Sequence, residues 1–211
     1  MSNALPRLSL PLSRDVARSL TVGQTVLLKG TIRCTAGFPT HQRMVAALQG
    51  DGKLPDDLRN GAFFHMGSSC RRAGDRWVPN YVNPTTSTRF DAFMPTLIRG
   101  LGLTATGGKG GMGPECVAAL KQVGGVYFSM PGGASPLLSD GASERLSTHW
   151  DDLIEQFRLS QFRLDSFGPV TVAIDAHGNS LYETLQETAR ARLPDILQGL
   201  AARRTDGKAH E

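Results

Sequence analysis

The stretch Leu101-Gly102-Leu103-Thr104-Ala105-Thr106-Gly107-Gly108-Lys109-Gly110-Gly111-Met112-Gly113-Pro114 decides the fold. Leu101–Thr106 reads as a short apolar strand and Gly107–Gly113 as a glycine-rich loop. Pro114–Val123 reads as a helix, with proline in the first turn, where its missing N–H costs nothing. A second apolar run, Gly125–Met130, follows and stops at Pro131-Gly132-Gly133. Strand, loop, helix and strand in that order predict parallel pairing through a helical crossover, hence α/β layering.

Outward from there, Ser13–Leu20 reads as a short helix and Gln24–Ile32 as a buried strand. Cys34–Thr40 holds Gly37 and Pro39 and reads as a loop, with Thr40 capping a helix over His41–Leu48. Ala62–Met66 and Trp77–Val82 read as strands around a loop rich in Gly, Ser and Arg, which adds an antiparallel portion. Val170–Asp175 is a third apolar run, closed by the turn Ala176-His177-Gly178-Asn179. Ser180–Arg203 reads as an amphipathic helix interrupted near Pro194, and residues 203–211 as a disordered tail. No repeat or linker breaks the pattern, so the expectation is a single α/β domain over residues 1–211 with a mixed sheet.

Composition narrows the function. The chain has 211 residues, 40% hydrophobic and 20% charged, with net charge +4, which describes a globular protein with a real core. Its basic residues are scattered, without the clustered stripe that nucleic-acid binding usually shows. Cys34, Cys70 and Cys116 are far apart and odd in number. They suggest neither a disulfide framework nor a metal site, and fit idle thiols in a reducing compartment, the cytoplasm. No stretch approaches the roughly 20 apolar residues of a membrane span, and the N-terminus lacks the apolar core of a signal peptide.

Two segments carry anion chemistry. In Asn83-Pro84-Thr85-Thr86-Ser87-Thr88-Arg89-Phe90-Asp91, Pro84 disfavours helix before it, and Thr85 or Thr86 can cap a helix running toward Leu97. Arg89 lies four residues after Thr85, so hydroxyl and guanidinium share a helical face, and a helix start with an arginine fork receives a carboxylate or phosphate. The plainer reading of the same residues is a capped helix with a solvated arginine.

The loop Gly108–Gly113 formally satisfies G-x-G-x-x-G, but no acidic residue follows about 20 positions on, as a dinucleotide site expects. Lys109 is followed by Gly110 and not by Ser or Thr, so the phosphate-loop pattern fails as well. What remains is a lysine among backbone amides at a helix start, an anion site or else a surface loop. Two such sites suit a dicarboxylate, with a dinucleotide as the rival ligand.

Several segments in order resemble one family: Gly30-Thr31-Ile32 with His41-x-Arg43, Leu54-Pro55-Asp56-Asp57-Leu58, Phe64-His65-x-Gly67, Pro84-Thr85-Thr86-Ser87-x-Arg89, Gly108-Lys109-Gly110-Gly111-Met112-Gly113-Pro114, and Phe167-Gly168-Pro169 with Ile174-Asp175-x-His177-Gly178-Asn179. The chain is similar, over about residues 10 to 190, to the β subunit of iron–sulfur hydro-lyases, the class I fumarate hydratases and L(+)-tartrate dehydratases. The resemblance implies a swivelling β/β/α domain. It also implies an α subunit whose three cysteines hold a 4Fe–4S cluster, and reversible dehydration of a 2-hydroxy dicarboxylate (fumarate/malate or L(+)-tartrate to oxaloacetate).

Carried over, the resemblance makes Thr85, Arg89 and Lys109 catalytic, and Thr86, Arg89, Lys109 and His41 substrate-binding. One departure stands out. The family typically carries Arg-Asp a few residues before the histidine, whereas this chain reads Thr35-Ala36-Gly37-Phe38-Pro39-Thr40-His41. Arg33 and Arg43 are the nearest cations by position. Two other readings therefore stand beside the first: an NAD(P)-dependent oxidoreductase using the Gly108–Gly113 loop, and a degenerate β subunit that only binds acid or partner. His65 and His177, each near a glycine, read as structural turn residues, and Trp77 and Trp150 as core or interface anchors.

Overall fold

Two short strands, Ala105–Gly108 and Val126–Ser129, pair in parallel on either side of the helix Pro114–Val123, and nearly every residue in them is buried. Burial on both faces is why they read as continuous apolar or small-residue runs. They are β5, α4 and β6 of a computed structural model that describes residues 4–55 and 58–207. Before them come β1 (Arg7–Leu10), α1 (Arg14–Ser19), β2 (Thr25–Thr35), α2 (Phe38–Leu48), β3 (Ala62–Ala73), β4 (Arg76–Pro84) and α3 (Met94–Leu101). After them come α5 (Ser135–Asp140), β7 (Ala142–His149), β8 (Leu159–Ile174) and α6 (Leu181–Gly207).

The described strands form one eight-stranded mixed sheet. The pairings β2–β3, β3–β5 and β5–β6 are parallel, whereas β6–β8 and β8–β2 are antiparallel, so this path returns to its start. Closing a sheet on itself removes free edges. The hairpin β3–β4 and the pairings β4–β7 and β7–β8 make a second layer from the same long strands. Leu28, Ile32, Phe64, Phe128, Phe162 and Phe167 fill the main core. Each such side chain contributes about 1.5–3 kcal/mol on burial.

The α/β class with a mixed sheet is as expected, and several boundaries differ. Gly67–Ala73 is strand and not loop, because Gly67, Ser68 and Ser69 pair with Asn83, Val82 and Tyr81 of β4; ladder bonds outweigh the low strand preference of Gly and Ser. The loop predicted at Cys34–Thr40 is short, since β2 continues to Thr35 and α2 begins at Phe38 with Gly37 as its cap and Pro39 in the first turn. Thr40 therefore does not cap; its hydroxyl, buried, donates to the Phe157 carbonyl. β1, β7 and the first half of β8 went unread. In β8 the signal was present, since Phe162 and Leu164 point inward while Arg163 and Asp165 alternate outward.

Contacts divide the chain at Asn179 and Ser180. The unit beginning at Ser180 is α6, which runs unbroken through Pro194 to Gly207, so residues 203–207 are helical, and the rest of the expected tail lies outside the described residues. Its Leu185, Leu193, Ile196, Leu197 and Leu200 are all at least half exposed. No helix among the described residues is long and apolar enough to cross a membrane.

Candidate functional site

Thr85 continues beyond β4 in extended form. Its N–H donates to the His65 carbonyl at 2.9 Å, and its carbonyl accepts from Lys109 N–H at 3.0 Å. Ser87 N–H in turn donates to the Lys109 carbonyl at 2.8 Å, so Thr86 and Lys109 pair as a parallel bridge at the end of β5. A 3₁₀ turn over Ser87–Phe90 then presents Arg89, which is exposed. The expected helix capped by Thr85 or Thr86 is absent: Thr86 precedes the turn but its side chain makes no capping bond, and α3 begins only at Met94. Both threonines line the adjacent cavity.

That cavity holds about 310 Å³ and is lined by Thr85, Thr86, Arg89 and Lys109, together with Ala36, Gly67, Tyr81, Asn83, Pro84 and Gln156. Two cations and no carboxylate line it, so it attracts anions. The rest of the lining is neutral, and within it Gln156 Nε2 donates to Tyr81 Oη at 3.1 Å. A larger hollow of about 440 Å³ shares Tyr81 and Asn83 and is otherwise walled by Asn80, Ser135, Pro136 and Ser139. It has no charged residue, so charge and not size singles out the first. Sequence reasoning missed Tyr81 and Gln156, which carry no motif and arrive from β4 and the loop before β8.

The start of α4 is already taken. Asp91 Oδ2 accepts from Gly113 N–H at 3.0 Å, and a Cβ on Gly113 would stand 2.9 Å from that oxygen. The carboxylate meets the positive helix end that a dinucleotide phosphate would need. Lys109 thus lies just past a strand end, five residues short of the helix.

His41 does not line the cavity. Because α2 starts at Phe38, the ring turns inward, fully buried, stacked on Phe90 at 4.0 Å with Nδ1 2.7 Å from the Gly37 carbonyl. Burial lowers its pKa to about 4. His65, fully buried beside it at 5.3 Å, is held well below its ordinary pKa by burial and lies in β3, not in a turn. Ahead of His41, Gly37 and Phe38 are packed closely. A Cβ on Gly37 would meet Phe157 at 2.6 Å, and Phe38 packs edge-on to Phe93. Arg43 does not substitute, since its guanidinium is paired with Asp152. The Asp-x-His-Gly-Asn segment is a turn: Asp175 Oδ1 accepts from the N–H groups of His177 and Asn179.

Among the described residues no His, Cys, Asp or Glu side chains gather as a metal-binding group. Cys34, Cys70 and Cys116 are free. Burial pushes all three thiols up, Cys70 to about 11 and the other two further. Ligation takes a thiolate, so these cysteines do not fit a cluster.

Residues 5–185 match the family model described as Fumarase C-terminus. The putative L(+)-tartrate dehydratase subunit beta of Methanocaldococcus jannaschii is 31% identical over 187 residues, 88% of this chain and 95% of that protein. The L(+)-tartrate dehydratase subunit beta of Escherichia coli is 32% identical over 174 residues, 82% of this chain and 85% of that protein. A putative class I fumarate hydratase of Geobacillus stearothermophilus is 30% identical over 191 residues, 88% of this chain but 35% of that longer protein.

Proposed function

The chain belongs to the Fumarase C-terminus family, and on that premise we propose that it is the β chain of a hydro-lyase that reversibly dehydrates a tartrate- or fumarate/malate-like 2-hydroxy dicarboxylate together with an α chain. The observation that carries this reading is the cavity where Arg89 and Lys109 meet with no carboxylate between them.

The Arg89 fork takes one carboxylate in two parallel hydrogen bonds, and Lys109 takes the other as a point charge. As a proton leaves the carbon beside a carboxylate, negative charge builds there, and a cation already in place lowers the barrier. Thr85 and Thr86 supply hydroxyls on the same wall; we assign Thr85 to the proton-transfer position and Thr86 to substrate orientation. His41, buried behind this wall, shapes it by packing.

The 4Fe–4S cluster that the resemblance implies belongs to the α partner on this reading, because the thiols of this chain do not fit it. Three free thiols suit a reducing compartment, which supports the cytoplasm. The Asp91 carboxylate at the start of α4 argues against a dinucleotide. One observation favours a second reading, an acid-binding β chain without turnover: the stretch Thr35–His41 carries neither Arg nor Asp, and Gly37 within it has no room for a side chain.

Anaerobic reconstitution with an α chain of this enzyme class, assayed on fumarate, malate and L(+)-tartrate, tests both. Turnover only with both chains present supports the first reading. Binding without turnover supports the second, and full activity of this chain alone overturns both.

A further inference from the structure

Beneath the cavity floor lies a buried polar chain that touches no substrate position. Ser87 Oγ is 2.8 Å from His65 Nδ1 and 2.9 Å from Tyr127 Oη, and all three residues are fully buried. A hydroxyl has one proton, so Ser87 donates one of these bonds and accepts the other. The serine is doubly tied, because its N–H also holds the Lys109 carbonyl at 2.8 Å. His65 is doubly tied as well, because its carbonyl holds Thr85 N–H at 2.9 Å. Gly108 makes the closeness possible: a Cβ there would stand 2.2 Å from Ser87 Oγ.

Given that the cavity is the acid-binding site, we propose that His65, Ser87 and Tyr127 form a positioning network that sets the separation of Arg89 and Lys109. Ser87 lies two residues before Arg89 and is bonded to Lys109 itself, so a shift of its side chain moves both cations at once. Apolar groups of the same shape would fill this volume at little cost in stability. A satisfied polar network adds a unique geometry, since its bonds are directional and packing is not. The carboxylates of a short diacid are a fixed distance apart, and a clamp of matching separation binds them without first having to reorganise.

The test measures dissociation constants for L(+)-tartrate and fumarate by calorimetry on the full chain, and KM and kcat in the two-chain complex, beside the melting temperature of each variant. Ser87→Ala and His65→Leu are expected to weaken binding about tenfold, and Tyr127→Phe about threefold. KM rises more than kcat falls. His65→Asn, which keeps an amide where Nδ1 stands, restores most of the affinity. Arg89→Met is the control for the site itself. If Arg89→Met loses binding while Ser87→Ala and Tyr127→Phe bind as the parent does and only melt earlier, the network is structural and the proposal falls, with the site intact. If Arg89→Met binds as the parent does, the site reading falls first. Tyr127→Phe keeps the shape of the ring and decides the matter should Ser87→Ala fail to fold.

Discussion

Ser87 donates its backbone N–H to the carbonyl of Lys109 at 2.8 Å, and this bond joins two segments over twenty residues apart in sequence into one cationic wall. Arg89 follows Ser87 by two residues and Lys109 directly follows β5, so neither cation can be placed independently of the other.

Replacing Arg89 with Lys keeps the charge but removes the planar fork. Binding of L(+)-tartrate or fumarate should weaken by about 1–3 kcal/mol, or 5- to 150-fold, if the guanidinium holds a carboxylate bidentately. Calorimetry and steady-state kinetics of the two-chain complex measure it, and an unchanged KM and kcat would remove Arg89 from the carboxylate contact.

Gln156→Glu is nearly isosteric and places a carboxylate in the cavity that Arg89 and Lys109 line. Dicarboxylate affinity should fall about tenfold through like-charge repulsion at a partly solvated distance. The loss should shrink as salt is raised. A salt-independent loss would mean that shape, not charge, governs this position.

Gly108→Ala should be destabilising by about 1–3 kcal/mol, because the new methyl would meet Ser87 Oγ at 2.2 Å and the Thr85 carbonyl at 3.1 Å. Urea unfolding reads this directly. Gly74→Ala is the comparison: nothing stands within 4 Å there, but its φ of +62° strains a side chain, so the cost should be smaller and should leave ligand affinity untouched.

Stability should fall on mild acidification. His41 has a folded pKa of about 4 against an ordinary 6.5, lowered by burial, and His65 is lowered in the same direction. Between those values the unfolded chain binds protons that the folded chain refuses. Stability is therefore complete above about pH 6.5 and drains away as pH falls toward 4. For His41 alone the loss approaches about 3 kcal/mol. Unfolding free energies at pH 7, 5.5 and 4.5 measure the slope, and His41→Phe, which can still stack on Phe90, should flatten it. An equally steep slope in that variant would locate the acid sensitivity elsewhere.

The α/β class was readable because local physics and tertiary packing agree there. Pro114 opens α4 where its missing N–H is harmless, and Val126–Phe128 is apolar because both faces are covered. The strand expected over Leu101–Thr106, by contrast, is displaced: Leu101 ends α3, Gly102 caps it, and Gly107 and Gly108 belong to β5 and not to the loop. Arg89 and Lys109, which line one cavity, were also legible as candidate anion ligands, since charge and a nearby run of glycine or hydroxyl residues are properties of the chain itself. The capped helix at Thr85 was not, because its backbone groups had a better offer: the carbonyl of His65 and the N–H of Lys109, which no local pattern reveals.

By itself, then, the sequence determined which residues are candidates for the chemistry and that strands alternate with helices around them, because residue type, periodicity and punctuation act within a few residues. Only the tertiary structure decided that Thr85 and Lys109 are hydrogen-bonded, that Asp91 fills the start of α4, that His41 is buried away from the cavity lining, and that Tyr81 and Gln156 line the cavity with the cations. Each of these depends on sheet register and on which buried polar group finds its partner first. Those choices are made between segments far apart in the chain, where the cost of an unpaired buried donor or acceptor outweighs local preference.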